Sequence, residues 1–270
     1  MNASLTDSEV AAFHRDGHLF PIDVYDAAET APWAEEVVAL ARNGLDDHPL
    51  PWHQKTHLLL PSLDAIVTDP RLTAPVASIL GPDLVALSAD VFVKLPYATG
   101  RITWHQDVNY QQLEPFDLLT AWVALTEATP GNGGMRYASG RHLGRLAHAE
   151  RPHATNLLTR GQELAVAVDE QEAVDVVLRP GQVSFHHALT PHASGPNTTA
   201  MPRAGFAVRY ASTAVRQLAG PPISARLARG RDTYGHFRLE PGPSRALSTA
   251  ALAEHARALE PHAATGYSTV

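Results

Sequence analysis

The sequence predicts a mainly β fold with flanking helices, a β-sandwich or jelly roll. Three observations carry this. Helix signals dominate up to about residue 83, and from Leu84 the chain turns into short apolar runs split by Gly, Pro and Asn. Apolar and polar residues alternate along Thr120–Leu125, the period of a half-buried strand. The 270 residues, 44% of them apolar, suffice for one large all-β domain.

The first element opens at Leu5. Thr6 precedes Glu9 by three positions, a capping-box pattern, and Gly17 is a stop. A second helix is expected over Ala27–Asn43. A third is expected over Thr73–Leu80, with Thr73 as N-cap and Gly81-Pro82 as terminator. Strands are expected at Leu84–Leu95, Ile102–Val108, Leu118–Thr126, Val174–Leu178, Gln182–His186 and Gly205–Ala211. Gly131-Asn-Gly-Gly134 reads as a turn, since no Lys-Ser/Thr follows as a phosphate loop requires. Pro221-Pro222 and Pro241-Gly-Pro243 punctuate the tail before a helical pattern from Ser244 to Leu259, expected to wrap the barrel or to contact another subunit. The expected organisation is one domain: a mostly helical part (1–83), a β core (84–217) and a C-terminal extension (218–270).

Composition excludes several classes. Net charge is −7, with no basic footprint for nucleic acid. No apolar run is long enough to span a membrane, and the first residues lack the basic and apolar regions of a signal peptide. Zero cysteines exclude disulfides, thiolate metal sites and a Cys nucleophile. The expectation is a cytoplasmic protein acting on a small molecule, with no nucleic-acid or membrane partner. A homodimer is the assembly that the tail would allow.

The chemistry centres on His105-Gln106-Asp107. Side chains two apart on a strand point to one side, so His105 and Asp107 can aim at one point. A distant histidine would complete a 2-His-1-carboxylate face, which leaves open positions and suits non-haem Fe(II). His192 is one candidate, and His186 and His187 compete with it. Arg203 follows His192 by eleven residues, and a guanidinium fork pairs bidentately with a carboxylate. Arg209 is its rival on the same predicted strand. No His-Glu-x-x-His helix supports a zinc hydrolase, and no Gly-x-Ser-x-Gly elbow surrounds Ser139.

The ordered series Thr103-Trp104-His105-Gln106-Asp107-Val108-Asn109-Tyr110, Thr120-Ala121-Trp122, Asn132-Gly133-Gly134-Met135, Pro191-His192-Ala193-Ser194-Gly195-Pro196-Asn197 and Arg203 resembles the phytanoyl-CoA dioxygenase family of Fe(II)/2-oxoglutarate oxygenases, from about Leu5 to about Gln217. The resemblance implies a double-stranded β-helix of the jelly-roll, cupin-like kind. It implies iron ligands His105, Asp107 and His192. It places Arg203 on the distal carboxylate of 2-oxoglutarate and Ser194 at a hydrogen bond to that co-substrate. Gln106, Trp122 and Lys94 match positions near it, and Lys55 is a looser match. The family's Pro-Gly-Ser-His loop is replaced here by Ala138-Ser139-Gly140-Arg141-His142.

The implied reaction couples O₂ consumption and decarboxylation of 2-oxoglutarate to oxidation of an unactivated C–H bond. Hydroxylation is the default; desaturation and ring closure are variants. Related halogenases replace the carboxylate ligand by Gly or Ala, so Asp107 argues against halogenation. The expected role is tailoring of a secondary metabolite, with an amino acid or aminophosphonate as the second choice of substrate. A cupin-like module that binds metal without oxidative activity is the rival from another class.

Overall fold

A computed structural model describes residues 4–45, 50–107, 112–116, 118–151, 155–158, 162–220 and 222–263. Its helices are α1 (Asp7–Asp16), α2 (Ala27–Asn43), α3 (Pro61–Thr68), α4 (Pro70–Leu80) and α5 (Thr249–Ala263). Its strands are β1 (His18–Asp23), β2 (Leu84–Lys94), β3 (Ile102–His105), β4 (Gln112–Glu114), β5 (Leu118–Ala124), β6 (Met135–Tyr137), β7 (His148–Glu150), β8 (Gln162–Leu164), β9 (Val174–Asp175), β10 (Gln182–His187), β11 (His192–Ser194), β12 (Arg203–Ser212), β13 (Arg216–Ala219), β14 (Ser224–Arg229) and β15 (Arg238–Leu239).

Two sheets form the double-stranded β-helix. The large one runs β1-β10-β5-β12-β2-β14-β15 and the small one β3-β11-β6-β9. The predicted boundaries at 83 and 217 do not bound the sheet. β1, from the helical N-terminal part, pairs with β10, and β14, from the C-terminal extension, pairs with β2. Both edges of the large sheet are thus covered by segments outside the predicted core, which protects them from pairing with other chains.

Alternation along β12 separates two environments. Ala204, Phe206, Val208 and Tyr210 pack into the main apolar core with Leu63, Ile66 and Val67 of α3 and Leu72 and Val76 of α4. The buried Leu, Ile and Val side chains each contribute roughly 1.5–3 kcal/mol. Arg203, Ala207 and Arg209 face the other way, into a cavity. Gly205, also on that face, is required by close packing. A Cβ there would lie 1.9 Å from Cζ2 of Trp122.

The predicted capping box on α1 forms, with Gly17 in the left-handed conformation at φ 77°. The third helix does not start at Thr73. Pro70 occupies its first turn, where a missing N–H costs nothing, and Asp69 caps it by accepting from the Arg71 N–H. The short helix α3 ahead of it was not predicted; its 8 residues offer barely two periods of pattern. The end of the predicted Ile102–Val108 strand also moves: β3 stops at His105, and Val108, Asn109 and Tyr110 of the motif lie outside the described residues. The Val174–Leu178 strand shrinks to Val174–Asp175, and the tail helix starts at Thr249 rather than Ser244.

Candidate metal and co-substrate site

His105 and His192 face each other across the sheet. They are direct partners in the antiparallel β3–β11 register, and their ring centroids lie 4.1 Å apart. Asp107 stands just past the end of β3, so strand pleating alone does not aim it. Its backbone N–H donates to Ala188 O at 3.0 Å, which fixes the turn. His105 Nε2 and His192 Nε2 then lie 3.7 and 3.8 Å from Asp107 Oδ1. One ligand atom from each of the three falls within 4.8 Å of the others.

The tautomers follow from the backbone. His105 Nδ1 is 2.9 Å from Thr103 O, and His192 Nδ1 is 3.0 Å from Thr190 O. A carbonyl only accepts, so each Nδ1 carries the proton and each Nε2 presents a lone pair. Burial, with His105 and His186 nearby, holds the His192 imidazole well below its ordinary pKa, so it is neutral. For Asp107 burial works toward a raised pKa, but Arg209 and the nearby imidazoles of His105, His186 and His192 outweigh it and hold the carboxyl well below its ordinary value. Two imidazole nitrogens and one carboxylate oxygen suit Fe(II) with open positions.

The two rival histidines separate. His187 turns toward His142, ring to ring at 5.5 Å, away from the cavity. His186 faces the cavity. Its Nδ1 lies 3.0 Å from the Tyr137 hydroxyl, and its Nε2 is 3.6 Å from Asp107 Oδ2 without a hydrogen-bond partner. It thus stands beside the second carboxylate oxygen rather than closing the triad. Thr120, which sequence reading did not single out, holds that same oxygen by a 2.9 Å hydrogen bond. It is the cross-strand neighbour of His186 and of Arg209 at once, a relation that exists only in the sheet.

The two arginines differ in what they already hold. Arg209 is ion-paired with Asp90 and lies 3.4 Å from Asp107 Oδ2. Arg203 has no carboxylate partner among the described residues. It is 2% exposed, donates to Gly133 O at 2.9 Å and Phe92 O at 3.3 Å, and leaves Nε without a partner. Burial pushes its guanidinium down to about 10, still a cation at neutral pH. Trp122 lies against it, 5.6 Å from Cζ to the ring centroid. Lys94 is its direct partner in the β2–β12 register and donates to Ser194 Oγ at 2.7 Å and to Gly195 O. Burial, and then Arg203, push the Lys94 amine down to about 6. Lys94, Ser194, Trp122 and Arg203 therefore form one cluster in which a carboxylate would be welcome.

Gln106 does not belong to that cluster. Its side-chain amide donates to Gly144 O at 2.9 Å and Leu189 O at 2.7 Å and accepts from Leu146 N at 2.8 Å. As the residue between two ligands it points the other way and ties down the neighbouring loop. Lys55 lines the cavity, but its ammonium is spent on Glu240 and on Ser224 O at 2.8 Å.

The cavity between the sheets measures about 210 Å³ and contains the triad, Trp122, Ser194 and Arg203. Part of its wall comes from the stretch around Lys55, only loosely matched from sequence, and from the tail helix, whose function the sequence does not give. His53 and Gln54 contribute from the loop before α3, and Leu259 contributes from α5, whose His255 binds Gln54 O at 2.7 Å. Among the described residues no helix is long and apolar enough to cross a membrane.

A family model described as phytanoyl-CoA dioxygenase matches residues 5–205. A solved non-haem monooxygenase, ThoJ, is 37% identical, with TM-score 0.82, over 95% of this chain and 96% of its own. The carbocyclase SnoK from nogalamycin biosynthesis, described as non-haem and α-ketoglutarate-dependent, is 25% identical, with TM-score 0.60, over 88% of this chain and 92% of its own. A probable α-ketoglutarate-dependent hypophosphite dioxygenase of Stutzerimonas stutzeri is 25% identical over 170 residues, 62% of this chain; the match spans only 59% of that relative's length.

Proposed function

The chain belongs to the phytanoyl-CoA dioxygenase family, and from that premise we propose that it is an Fe(II)- and 2-oxoglutarate-dependent oxygenase of a small organic molecule. One observation carries the reading. The triad shares its cavity with a buried guanidinium that no carboxylate among the described residues neutralises, while the other cavity arginine already has two. A buried unpaired cation is costly unless a ligand pairs with it.

His105, Asp107 and His192 would hold the metal, which when bound supplies O₂ activation driven by 2-oxoglutarate decarboxylation. The protein's own residues bind and orient. Thr120 and Arg209 fix Asp107 Oδ2, leaving Oδ1 toward the metal position. Thr103 O and Thr190 O fix the imidazole rings. Arg203, with Lys94 and Ser194, receives the distal carboxylate of the co-substrate, and Trp122 shields that pair from water. Lys94 regains its proton when the dianion enters, because the added negative charge favours the ammonium form.

Hydroxylation is the expected outcome, since Asp107 fills the position that chloride would need. Tailoring of a secondary metabolite is the favoured role, supported by the likeness to SnoK. Oxidation of a small amino acid or phosphorus oxyacid is the second reading, supported by the hypophosphite dioxygenase relative. The test is a substrate screen that reads succinate against O₂ consumed. Metal binding without succinate formation on any substrate, and without slow 2-oxoglutarate turnover alone, would leave the non-oxidative cupin-like module standing.

A further inference from the structure

The charges around the cavity show which of those substrate classes the pocket can accept. This step rests on the oxygenase reading. Each charged group in the cavity wall has an assigned partner once metal and co-substrate are counted. Arg203, with Lys94 beside it, takes the distal carboxylate, and the divalent metal would take Asp107 and the other end of the co-substrate. Arg209 remains with Asp90. Asp90 is itself saturated, accepting from Ser88 Oγ and from the Lys55 N–H at 2.9 Å. Lys55 is paired with Glu240, which also holds His57 at 3.0 Å and Ser224 Oγ at 2.6 Å. Among the described lining residues no cation is left over.

Leu87 from β2, Leu157 and Leu158 from the loop after β7, and Leu259 from α5 give the wall an apolar part. Against it stand the uncharged polar groups of His53, Gln54 and Ser88. Burial lowers the pKa of His53, so its imidazole is neutral at pH 7. An anionic substrate would lose its hydration here and gain no counter-charge, a loss that an apolar wall cannot repay. An uncharged hydrocarbon skeleton with a hydroxyl or carbonyl edge gains from both faces.

We propose that the part of the substrate entering this cavity carries no negative charge and is predominantly apolar, with one hydrogen-bonding edge toward His53 and Ser88. Leu259 is a specificity-determining residue in this picture. It lies beyond the stretch that the family model matches, 5–205, so its part of the wall stands outside the matched core.

Matched ligand pairs that differ only in charge test this: cyclohexylacetamide against cyclohexylacetate, and 1-naphthylacetamide against 1-naphthylacetate. Each is titrated calorimetrically into the full chain loaded anaerobically with Fe(II) and 2-oxoglutarate, whose charge-transfer band is recorded first. Each amide is expected to bind at least tenfold more tightly than its carboxylate. Leu259→Asp is expected to weaken amide binding at least tenfold. Equal or tighter binding of either carboxylate, or no amide binding up to millimolar concentration, overturns the proposal. Absence of the charge-transfer band overturns the oxygenase reading instead, so the two failures are distinct.

Discussion

Arg209 Nε lies 3.4 Å from Asp107 Oδ2, at the opposite carboxylate oxygen from the one that faces His105 and His192. The arginine therefore acts on the metal position through the ligand. It also joins Asp107 to Asp90 in β2, so the carboxylate ligand is anchored to the centre of the large sheet. Removing the arginine would strand two buried carboxylates. Arg209→Ala should cost about 3 kcal/mol or more in stability and weaken metal binding. Thermal unfolding and a metal titration check both. Unchanged metal affinity would mean that Arg209 does not position Asp107.

Arg203→Ala should act on the co-substrate instead. Loss of a buried charge-assisted pair costs on the order of 2–5 kcal/mol, roughly thirty-fold or more in binding. The KM for 2-oxoglutarate should rise by that factor in Arg203→Ala and much less in Arg209→Ala. The reverse order would move the carboxylate site to Arg209.

His192→Ala should abolish tight Fe(II) binding, because only two ligands remain. His186→Ala should keep the metal while loosening Asp107. Retained stoichiometric iron in the His192 variant would reassign the third ligand to His186, whose Nε2 already approaches Asp107 Oδ2 at 3.6 Å.

Asp107→Gly removes one ligand and its charge. Hydroxylation should be lost, with at most traces of chlorinated product at high chloride, since chloride also needs a shaped pocket. Product mass spectrometry with the true substrate decides it. Full hydroxylation by this variant would falsify the facial triad itself.

Lys94 gives a pH signature. Its amine titrates near 6 in the folded chain against 10.5 for an ordinary lysine. Between these values the unfolded chain binds more protons, so this group makes stability rise with pH, at up to about 1.4 kcal/mol per pH unit. Below about pH 6 both states are protonated and the burial cost is fully present. Lys94→Met should flatten the rise of stability from pH 6 to 10 in the chain without co-substrate. Parallel wild-type and variant curves would show the amine to be ordinary.

The sequence by itself determined the fold class, the helices over Asp7–Asp16 and Ala27–Asn43, and the long strands that build the large sheet. It also determined which residue types can hold the metal. These are local matters: alternation, capping and turn chemistry act within a few residues, and a motif such as His105-Gln106-Asp107 is contiguous. Sequence alone did not determine partnership. Whether His186 or His192 faced His105, and which arginine was already neutralised, depended on strands far apart in the chain. Register across β3–β11 put His192 opposite His105, and register across β5–β12–β2 put Arg209 between Asp107 and Asp90. Gln106, read as a neighbour of the co-substrate, proved to be tied to Gly144, Leu146 and Leu189, since its side of the chain faces away from the cavity. The outer wall was invisible for the same reason. His255 meets Gln54, and Leu259 reaches the cavity, only because α5 folds back across the loop before α3, and no local pattern encodes a contact between segments some two hundred residues apart.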